Sequence, residues 1–374
     1  MIEIDTILLK VASQCNINCT YCYVYNMGDE SWANMPNFIS QETIKAISKE
    51  LSELRIKQQR PFAIVLHGGE PLLLGARRLE FLLYSLRTTI PENYCISIQT
   101  NGMLISDKIL DLCSEYKTSI SVSLDGPETT HDANRVGHHG EGTFHRVLTG
   151  IEKLKSHPDA SFLFAGLLAV IDPNSNPYTI YNFFKSVGTP NIDFLYRDGN
   201  HDKLPFGKSS FHSTEYGNWL TSLLEIYLAD QTPIKIRILD DIIRLALGGI
   251  GIKEGIGITD FGIAVIDTDG TVTKNDTLKS SYKGADRFLE NWNVHTHKLV
   301  DIFSSSEFAQ AHKLQRPTSP TCQTCPELPI CGGGMPLHRW KTETGYANPS
   351  VYCNDQLHII NKVKTVLFGL KKCA

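Results

Sequence analysis

The chain has 374 residues, with 36 Lys and Arg against 40 Asp and Glu, and a formal net charge of −4 at pH 7. This balance leaves no excess of basic residues that would attract a polyanion, so nucleic acid is not an expected partner. No apolar run approaches the length of about 18 residues that crosses a bilayer, so no membrane role is expected. The length allows one large barrel-sized domain plus a smaller appendage.

The chain contains ten cysteines, and no basic and apolar signal segment precedes them. In a reducing compartment, closely spaced cysteines are more often metal ligands than disulfides. We therefore expect a cytoplasmic protein with thiolate-bound metal at two places, 15–22 and 322–353. Cys95 and Cys113 stand apart from both groups and are interpreted as small buried apolar residues; Cys373 is given no role.

From residue 4 to about 230, short β-rich runs alternate with longer helical patterns, which predicts β/α units around a parallel sheet. Six units are expected, with strands near 5–12, 62–66, 94–100, 119–124, 162–171 and 191–196, and helices near 40–58, 75–89, 106–116, 143–156, 177–187 and 213–229. Ser40 and Ser106 are predicted N-caps. Gly150 is unfavourable inside its predicted helix.

Unusual polar segments follow five of these six strands. They are Cys15–Cys22, His67-Gly-Gly-Glu70-Pro, Gln99-Thr-Asn101-Gly, Ser123-Leu-Asp125-Gly-Pro and the loop 197–202. The carboxyl ends of parallel strands share one edge, where α/β enzymes bind ligands. The sequence therefore predicts a single active site on one face.

The composition changes after residue 231. Glycines interrupt the pattern at 248–257, an Asp269-Gly270 turn predicts a hairpin near 262–276, and a cysteine-rich tail begins at 321. We predict two domains, a barrel over 1–230 and a metal-binding domain over 231–374 with its four-cysteine region at 321–354.

The first cysteine group reads Cys15-x3-Cys19-x2-Cys22. Three thiolates are too few for a structural zinc site, which takes four ligands. They suit a four-iron cluster with one iron open to a small molecule. A zinc site with a distant fourth ligand and a set of reduced core cysteines are the alternatives.

This spacing, with Tyr21 before the third cysteine, resembles that of the radical S-adenosylmethionine (SAM) enzymes. The resemblance implies a [4Fe-4S] cluster bound by three cysteines and SAM, from which an electron cleaves SAM to give a radical that abstracts hydrogen from the substrate. The six β/α units likewise resemble the partial (β/α)6 barrel of that family. The expected fold class is therefore α/β, a partial TIM-like barrel with a C-terminal cysteine-rich domain.

The same resemblance implies the SAM contacts. Gly68, Gly69 and Glu70 would bind the methionyl amino group, Ser123 and Asp125 the ribose, Arg135 the carboxylate, and Leu195 the adenine. For each of these residues an ordinary structural role is the alternative: a turn, a capped turn, a surface ion pair or a core leucine.

The second group is Cys322-x2-Cys325-x5-Cys331 with Cys353 beyond, which supplies enough thiolates to close a cluster. It resembles the SPASM domain of peptide-modifying radical SAM enzymes, which usually carries two auxiliary clusters. Ligands of the inner cluster are missing, because Asn275 and Met335 stand at two expected cysteine positions. We expect one auxiliary [4Fe-4S] cluster, with a structural zinc as the alternative.

Asp276 follows the hairpin, where sulfatase maturases with this tail have a catalytic aspartate. The resemblance implies that Asp276 acts as a general base. A solvated loop aspartate is the alternative.

Two segments, 21–32 and 198–205, resemble maturases that form three-residue cyclophanes in ribosomal peptides, joining a Cβ to an aromatic ring. The implied partners are a precursor peptide with leader and core, and an electron donor such as flavodoxin or ferredoxin. Tentative substrate contacts are Gln99, Asp198, His201 and Asp202. The alternatives are a sulfatase-type formylglycine maturase, a thioether-forming peptide maturase and a zinc-stapled binding protein.

Overall fold

The computed structural model describes residues 1–369. Two compact units are present. Unit 1 contains Met1–Leu124, His131–Leu167 and Phe261–His312, and unit 2 contains Asp125–Thr130, Leu168–Asp260 and the described residues from Lys313 onward. The domain boundary near residue 230 stays a prediction, and Cys373 lies outside the described residues.

Strands and helices alternate through the first two thirds of the chain. The strands are β1 (Thr6–Ala12), β2 (Ala63–Gly68), β3 (Ile96–Thr100), β4 (Thr118–Ser123), β5 (Phe164–Val170), β6 (Asn191–Leu195), β7 (Lys235–Ile236), β8 (Ile263–Ile266) and β9 (Val272–Thr273). The α-helices are α1 (Gln41–Gln58), α2 (Gly75–Arg87), α3 (Asp107–Glu115), α4 (Glu128–His131), α5 (Phe144–Ser156), α6 (Ala160–Leu163), α7 (Pro177–Val187), α8 (Glu215–Ala229), α9 (Arg237–Ala246), α10 (Leu299–Ser304), α11 (Ser306–Lys313), α12 (Pro320–Gln323), α13 (Leu328–Cys331) and α14 (Cys353–Phe368). In the described residues, 3-10 turns cover Ser31–Asn34, Pro71–Leu74, Asp276–Ser280 and Pro336–Arg339.

Unit 1 contains a largely parallel sheet in the order β4-β3-β2-β1-β8-β9. Strand β1 is central, with β2 on one side and β8 on the other, both parallel to it. Strands β8 and β9 form the predicted antiparallel hairpin, and Gly270 in its turn has φ +86°. The positive φ explains the glycine there.

Strand β5 begins in unit 1 and ends in unit 2. Within unit 2, β6 pairs in parallel with β7. Helix α14 packs on α8 and α9, and α7 packs on α8. The four cysteines of the second group all lie in this unit.

The register of unit 1 decides which side chains share a face of the sheet. Lys10 of β1 stands beside His67 of β2, two positions beyond the pair of Leu8 and Val65. Val65 pairs with Ser97 of β3, so Gln99 continues the same row. Because side chains alternate along a strand, these polar residues lie on one face of the sheet, while Ile7, Leu9 and Val11 of β1 are buried on the other.

All six predicted strands and their following helices are present, with ends shifted by a few residues at most. Ser40 is a confirmed N-cap, because its Oγ accepts from the Thr43 N–H at 3.1 Å. Ser106 is also the N-cap residue of α3, as predicted, with an extended backbone and a carbonyl that accepts from the Leu110 N–H at 3.0 Å, but its side chain makes no capping bond. Cys113 is buried as predicted, whereas Cys95 is exposed, because β3 begins one residue later.

No helix in the described part of the chain has both the length and the apolar character needed to span a bilayer.

Gly150 lies in α5 because a neighbouring backbone leaves no room for a side chain. A Cβ there would stand 2.1 Å from the carbonyl oxygen of Gly102. Gly150→Ala should therefore lower the free energy of unfolding by about 1–3 kcal/mol through overpacking, although alanine favours helix by about 1 kcal/mol. Urea unfolding measures this, with Thr149→Ala, exposed on the same helix, expected within about 0.5 kcal/mol of wild type. Wild-type stability for Gly150→Ala would contradict the packing assignment.

Candidate functional site

The two-glycine turn after β2 passes directly beneath the start of the cysteine loop. The Gly69 N–H donates to the Ala12 carbonyl at 2.8 Å, and Gly68 has φ +137°. A Cβ on Gly68 would stand 2.1 Å from the Ala12 oxygen, and one on Gly69 would stand 2.2 Å from the Gln14 oxygen. Only glycine fits at either position, because the atoms in the way are backbone.

A second segment, after α4, holds the cysteine loop from another side. The Asn18 N–H donates to the Val136 carbonyl at 2.8 Å. Arg135 is buried, with Nη1 3.8 Å from Cys19 Sγ and its guanidinium 5.7 Å from the centre of the Tyr21 ring. The loop therefore has a cation beside one of its thiols.

The thiols of the first group converge. Burial raises the pKa of Cys15 to about 12 and that of Cys22 to about 11, and each thiol interacts electrostatically with Cys19. Such thiols lose their protons when a metal centre supplies compensating charge. In residues 1–369, no three His, Cys, Asp or Glu side chains are placed to hold a single metal ion. A four-iron cluster gives each thiolate its own iron.

Glu70 ties the end of β2 to the end of β3. It is 1% exposed, and its Oε1 accepts from Thr100 Oγ1 at 2.6 Å and from the Leu72 N–H at 2.9 Å. Its Oε2 accepts from the Asn101 N–H at 2.8 Å. Burial raises the pKa of Glu70, and these hydrogen bonds oppose the rise. The contact to a SAM amino group stays a prediction.

The other predicted SAM contacts lie at strand ends in both units. In unit 1, Gln99 Nε2 donates to Ser123 Oγ at 3.0 Å, which joins β3 to β4. In unit 2, Asp125 Oδ1 accepts from the Val170 N–H at 3.1 Å, and Leu195 ends β6. Their roles toward SAM stay predictions.

Asp276 belongs to a buried cluster of charges in unit 1. Its Oδ2 lies 3.1 Å from Lys10 Nζ, which is also 3.5 Å from Asp267 Oδ2. Lys10 is 4% and Asp276 2% exposed, so Asp276 is not a solvated loop residue. Burial opposes both charges, but the attraction prevails, raising the pKa of Lys10 and lowering the pKa of Asp276.

Two further side chains face Asp276. Tyr23, directly after Cys22, donates its hydroxyl to Asp276 Oδ2 at 3.2 Å. His67 interacts electrostatically with Asp276, and burial lowers its pKa. The carboxylate therefore lies next to the cysteine loop.

The Asn275 side chain caps the turn that carries Asp276. Its Oδ1 accepts from the Thr277 N–H at 3.1 Å and the Thr277 hydroxyl at 2.8 Å, which caps the 3-10 turn Asp276–Ser280. Within that turn, Lys279 Nζ lies 3.0 Å from Ser31 Oγ and 3.6 Å from Asp29. The turn that carries Asp276 is thereby fixed to the segment after the cysteine loop.

The second cysteine group converges within unit 2. Burial raises the pKa of Cys331 to about 12, and its thiol interacts electrostatically with Cys353, Cys322 and Cys325. Burial also raises the pKa of Cys353 to about 11.

A buried arginine accompanies these thiols. Arg339 is 1% exposed, its Nε has no hydrogen-bond partner, and no ion pair joins it to a carboxylate of the described residues. Burial lowers the pKa of Arg339 to about 10, and Cys322 and Cys331 oppose that shift. An unpaired buried cation costs several kcal/mol. The four thiols with this arginine beside them therefore fit a metal centre of net negative charge.

The tentative substrate residues of unit 2 have protein partners. His201 Nε2 lies 2.8 Å from the Pro349 carbonyl oxygen, and Asp202 accepts from the Thr342 N–H at 2.9 Å and its hydroxyl at 2.7 Å. Asp198 lies in the same segment. These contacts brace the loop 340–349, and a role toward substrate stays a prediction.

Comparison with known proteins identifies the first half of the chain. Residues 9–168 match the family model of the Radical SAM superfamily. These residues belong to that superfamily. A cysteine-type anaerobic sulfatase-maturating enzyme of Clostridium perfringens is 24% identical to this chain over an alignment of 360 residues that covers 93% of each chain.

Solved structures establish the fold of this chain. Native anSMEcpe with bound AdoMet superposes with a TM-score of 0.82 at 23% identity, covering 97% of this chain and 98% of that one. Streptococcus suis SuiB bound to precursor peptide SuiA gives a TM-score of 0.66 at 12% identity, covering 94% and 76%. The predicted α/β partial barrel of the radical SAM type, with a cysteine-rich C-terminal part, is confirmed.

Sequence reasoning did not predict the contacts of Lys10, Tyr23 or Asn101. Lys10 was detectable, because a charged residue interrupts the apolar strand Thr6–Ala12. The partners of Tyr23 and Asn101 are distant in sequence and had no local signal.

Asp276 should govern part of the acid sensitivity of the fold. A carboxylate whose folded pKa is lowered stabilises the protein above its unfolded pKa of about 3.9, and this contribution is lost as pH falls through the folded value. Asp276→Asn should therefore make the free energy of unfolding fall less steeply below about pH 4. Urea unfolding at several pH values measures the slope. Tyr23→Phe keeps the carboxylate and should keep the wild-type slope; an unchanged slope in Asp276→Asn would refute the assignment.

Proposed function

We propose that this enzyme starts radical chemistry on a ribosomally made peptide and forms a carbon–carbon crosslink between an aromatic ring and the Cβ of a nearby residue. The observation that carries the proposal is the ionised, buried Asp276, held by Lys10 and Tyr23 beside the cysteine loop. This carboxylate would take the proton that the substrate radical loses.

Cys15, Cys19 and Cys22 would hold a [4Fe-4S] cluster with SAM on its open iron. When bound, this pair supplies the adenosyl radical that removes a hydrogen atom from the substrate. Gly68, Gly69, Glu70, Ser123, Asp125, Arg135 and Leu195 are the proposed SAM contacts. The Arg135 guanidinium, buried near Cys19, supports this assignment through its charge.

Cys322, Cys325, Cys331 and Cys353 would hold one auxiliary [4Fe-4S] cluster, which supplies an electron acceptor. The buried charge of Arg339 supports an anionic centre there. The cap made by Asn275 supports a single auxiliary site, because its side chain is engaged by Thr277.

The crosslink requires one base and one electron acceptor. A hydrogen atom leaves Cβ, the carbon radical adds to the ring, and restoring aromaticity releases one proton and one electron. Asp276 would take the proton and the auxiliary cluster the electron. The pKa of Asp276 is lowered, so it is a weak base. Once the ring adduct has lost its electron it is an arenium cation, whose ring proton is strongly acidic, and a weak base suffices to take it.

The partner would be a precursor peptide with leader and core, and a flavodoxin or ferredoxin would supply the first electron. SuiB, which shares the fold, was solved with a precursor peptide. Gln99, Asp198, His201 and Asp202 remain proposed substrate contacts.

Formylglycine formation is the second candidate, because the sulfatase-maturating relative spans nearly the whole chain. It uses the same first step and also loses a proton and an electron, which converts a cysteine side chain to a thioaldehyde; water then hydrolyses the thioaldehyde to the aldehyde and releases hydrogen sulfide. A thioether-forming reaction would follow the same course with a sulfur partner.

Product analysis separates these reactions. The purified, reconstituted enzyme is incubated anaerobically with SAM, reductant and candidate peptides, including a sulfatase-derived one. A crosslink removes two hydrogens and blocks fragmentation between the joined residues, whereas formylglycine reacts with a hydrazide probe. Hydrazide-reactive product without crosslinked product would replace the crosslink proposal by the second candidate.

Replacing Cys15, Cys19 and Cys22 together by Ala should abolish 5′-deoxyadenosine formation and lower bound iron by about half, because one of two four-iron clusters is lost. Iron analysis and chromatography measure both. Cys95→Ala, at an exposed cysteine outside both groups, should behave as wild type. Persistent SAM cleavage in the triple variant would refute the cluster assignment.

Asp276→Asn should retain SAM cleavage in the presence of peptide but lose at least about tenfold in product, since general-base catalysis contributes about 10²–10⁴ in rate. Asp269→Asn, in the hairpin turn, is the matched control and should keep its yield. Full product yield in Asp276→Asn would remove this residue from the mechanism.

A further inference from the structure

Asn101, at the end of β3, reaches the first cysteine of the loop. It is 6% exposed, and its Nδ2 lies 3.9 Å from Cys15 Sγ and 2.8 Å from Asn16 Oδ1. An amide nitrogen carries two hydrogens, so Asn101 can donate to both atoms at once.

The amide is fixed in this orientation. Asn101 Oδ1 accepts from the Met103 N–H at 3.1 Å, so the nitrogen must face the cysteine loop. The backbone N–H of Asn101 donates to Glu70 Oε2 at 2.8 Å. Glu70, one residue beyond the two glycines, therefore places a side-chain donor beside Cys15.

Asn101 differs from the other donors around these thiols. Cys15 also accepts from the Ile17 backbone N–H, which the loop supplies itself. Arg135 lies near Cys19 but brings a full charge and a proposed SAM contact. Asn101 is neutral and comes from outside the loop.

We propose that Asn101 tunes the reduction potential of the cluster on Cys15, Cys19 and Cys22 by donating a hydrogen bond to the Cys15 sulfur. The inference rests on the proposed function of that site. Reduction adds one electron to the cluster, from dithionite or titanium(III) citrate in vitro, and no bond to Asn101 forms or breaks. The added charge falls partly on sulfur, so a donor there favours the reduced state and raises the potential.

The test is a reductive titration of the reconstituted full chain, followed by electron paramagnetic resonance. The signal that changes on SAM addition belongs to the cluster on Cys15, Cys19 and Cys22, which separates it from the auxiliary cluster. Asn101→Leu is similar in size but has no donor, so it should lower the midpoint potential of this cluster. The expected shift is up to about 59 mV for one electron, which corresponds to a tenfold lower ratio of reduced to oxidised cluster at a fixed potential.

Two further variants make the result decisive. Asn101→Ser keeps an acceptor for the Met103 N–H but is too short to reach Cys15, and should reproduce the shift even if the leucine variant folds poorly. Asn16→Ala removes the Asn101–Asn16 bond and leaves the donor to Cys15, so its potential should match wild type.

Wild-type potentials in both Asn101 variants would overturn the proposal, and so would an equal shift of the potential in Asn16→Ala. Loss of iron from both Asn101 variants, with wild-type thermal unfolding, would also overturn it, because Asn101 would then support the geometry of the cysteine ligands. A wild-type enzyme without any SAM-sensitive signal would instead refute the proposed function itself.

Discussion

The close passage of the two-glycine turn beneath the cysteine loop is the constraint on which the site depends. No side chain fits at Gly68 or Gly69, because backbone atoms of the loop lie about 2 Å from where a Cβ would stand. The contact fixes the loop on the ends of β1 and β2. It also places Glu70 where both carboxylate oxygens bind the end of β3. One short motif thereby positions three strand ends around the thiols.

A second constraint is the buried charge in unit 1. Lys10 lies within ion-pair distance of both Asp267 and Asp276, and its ammonium lowers the pKa of Asp276 in a site where burial disfavours charge. Such an arrangement contributes little net stability, but it holds the Asp276 carboxylate in one buried position. The cap at Asn275 and the contacts of Lys279 serve the same end, because they fix the short turn that carries Asp276.

The two cysteine groups present contrasting environments, each within its own unit. The first has three thiols with donors from Asn101 and Arg135, and suits a cluster whose fourth iron is left for a ligand. The second has four thiols and the buried charge of Arg339, and suits a closed anionic centre. This difference agrees with a division of labour in which the first group begins radical chemistry and the second receives an electron.

The sequence alone determined the alternation of strands and helices, the two cysteine groups and the placement of motifs at strand ends, because these depend on local periodicity and spacing. It also indicated the superfamily, since the cysteine group and the Gly-Gly-Glu motif each lie within one short, continuous stretch of sequence. Only the tertiary structure showed that Glu70 accepts a hydrogen bond from the Asn101 N–H and that Lys10 forms an ion pair with Asp276. It also showed that His201 and Asp202 contact the loop 340–349. These partners are separated by 31 to 266 residues, and packing decides such contacts where no local pattern records them.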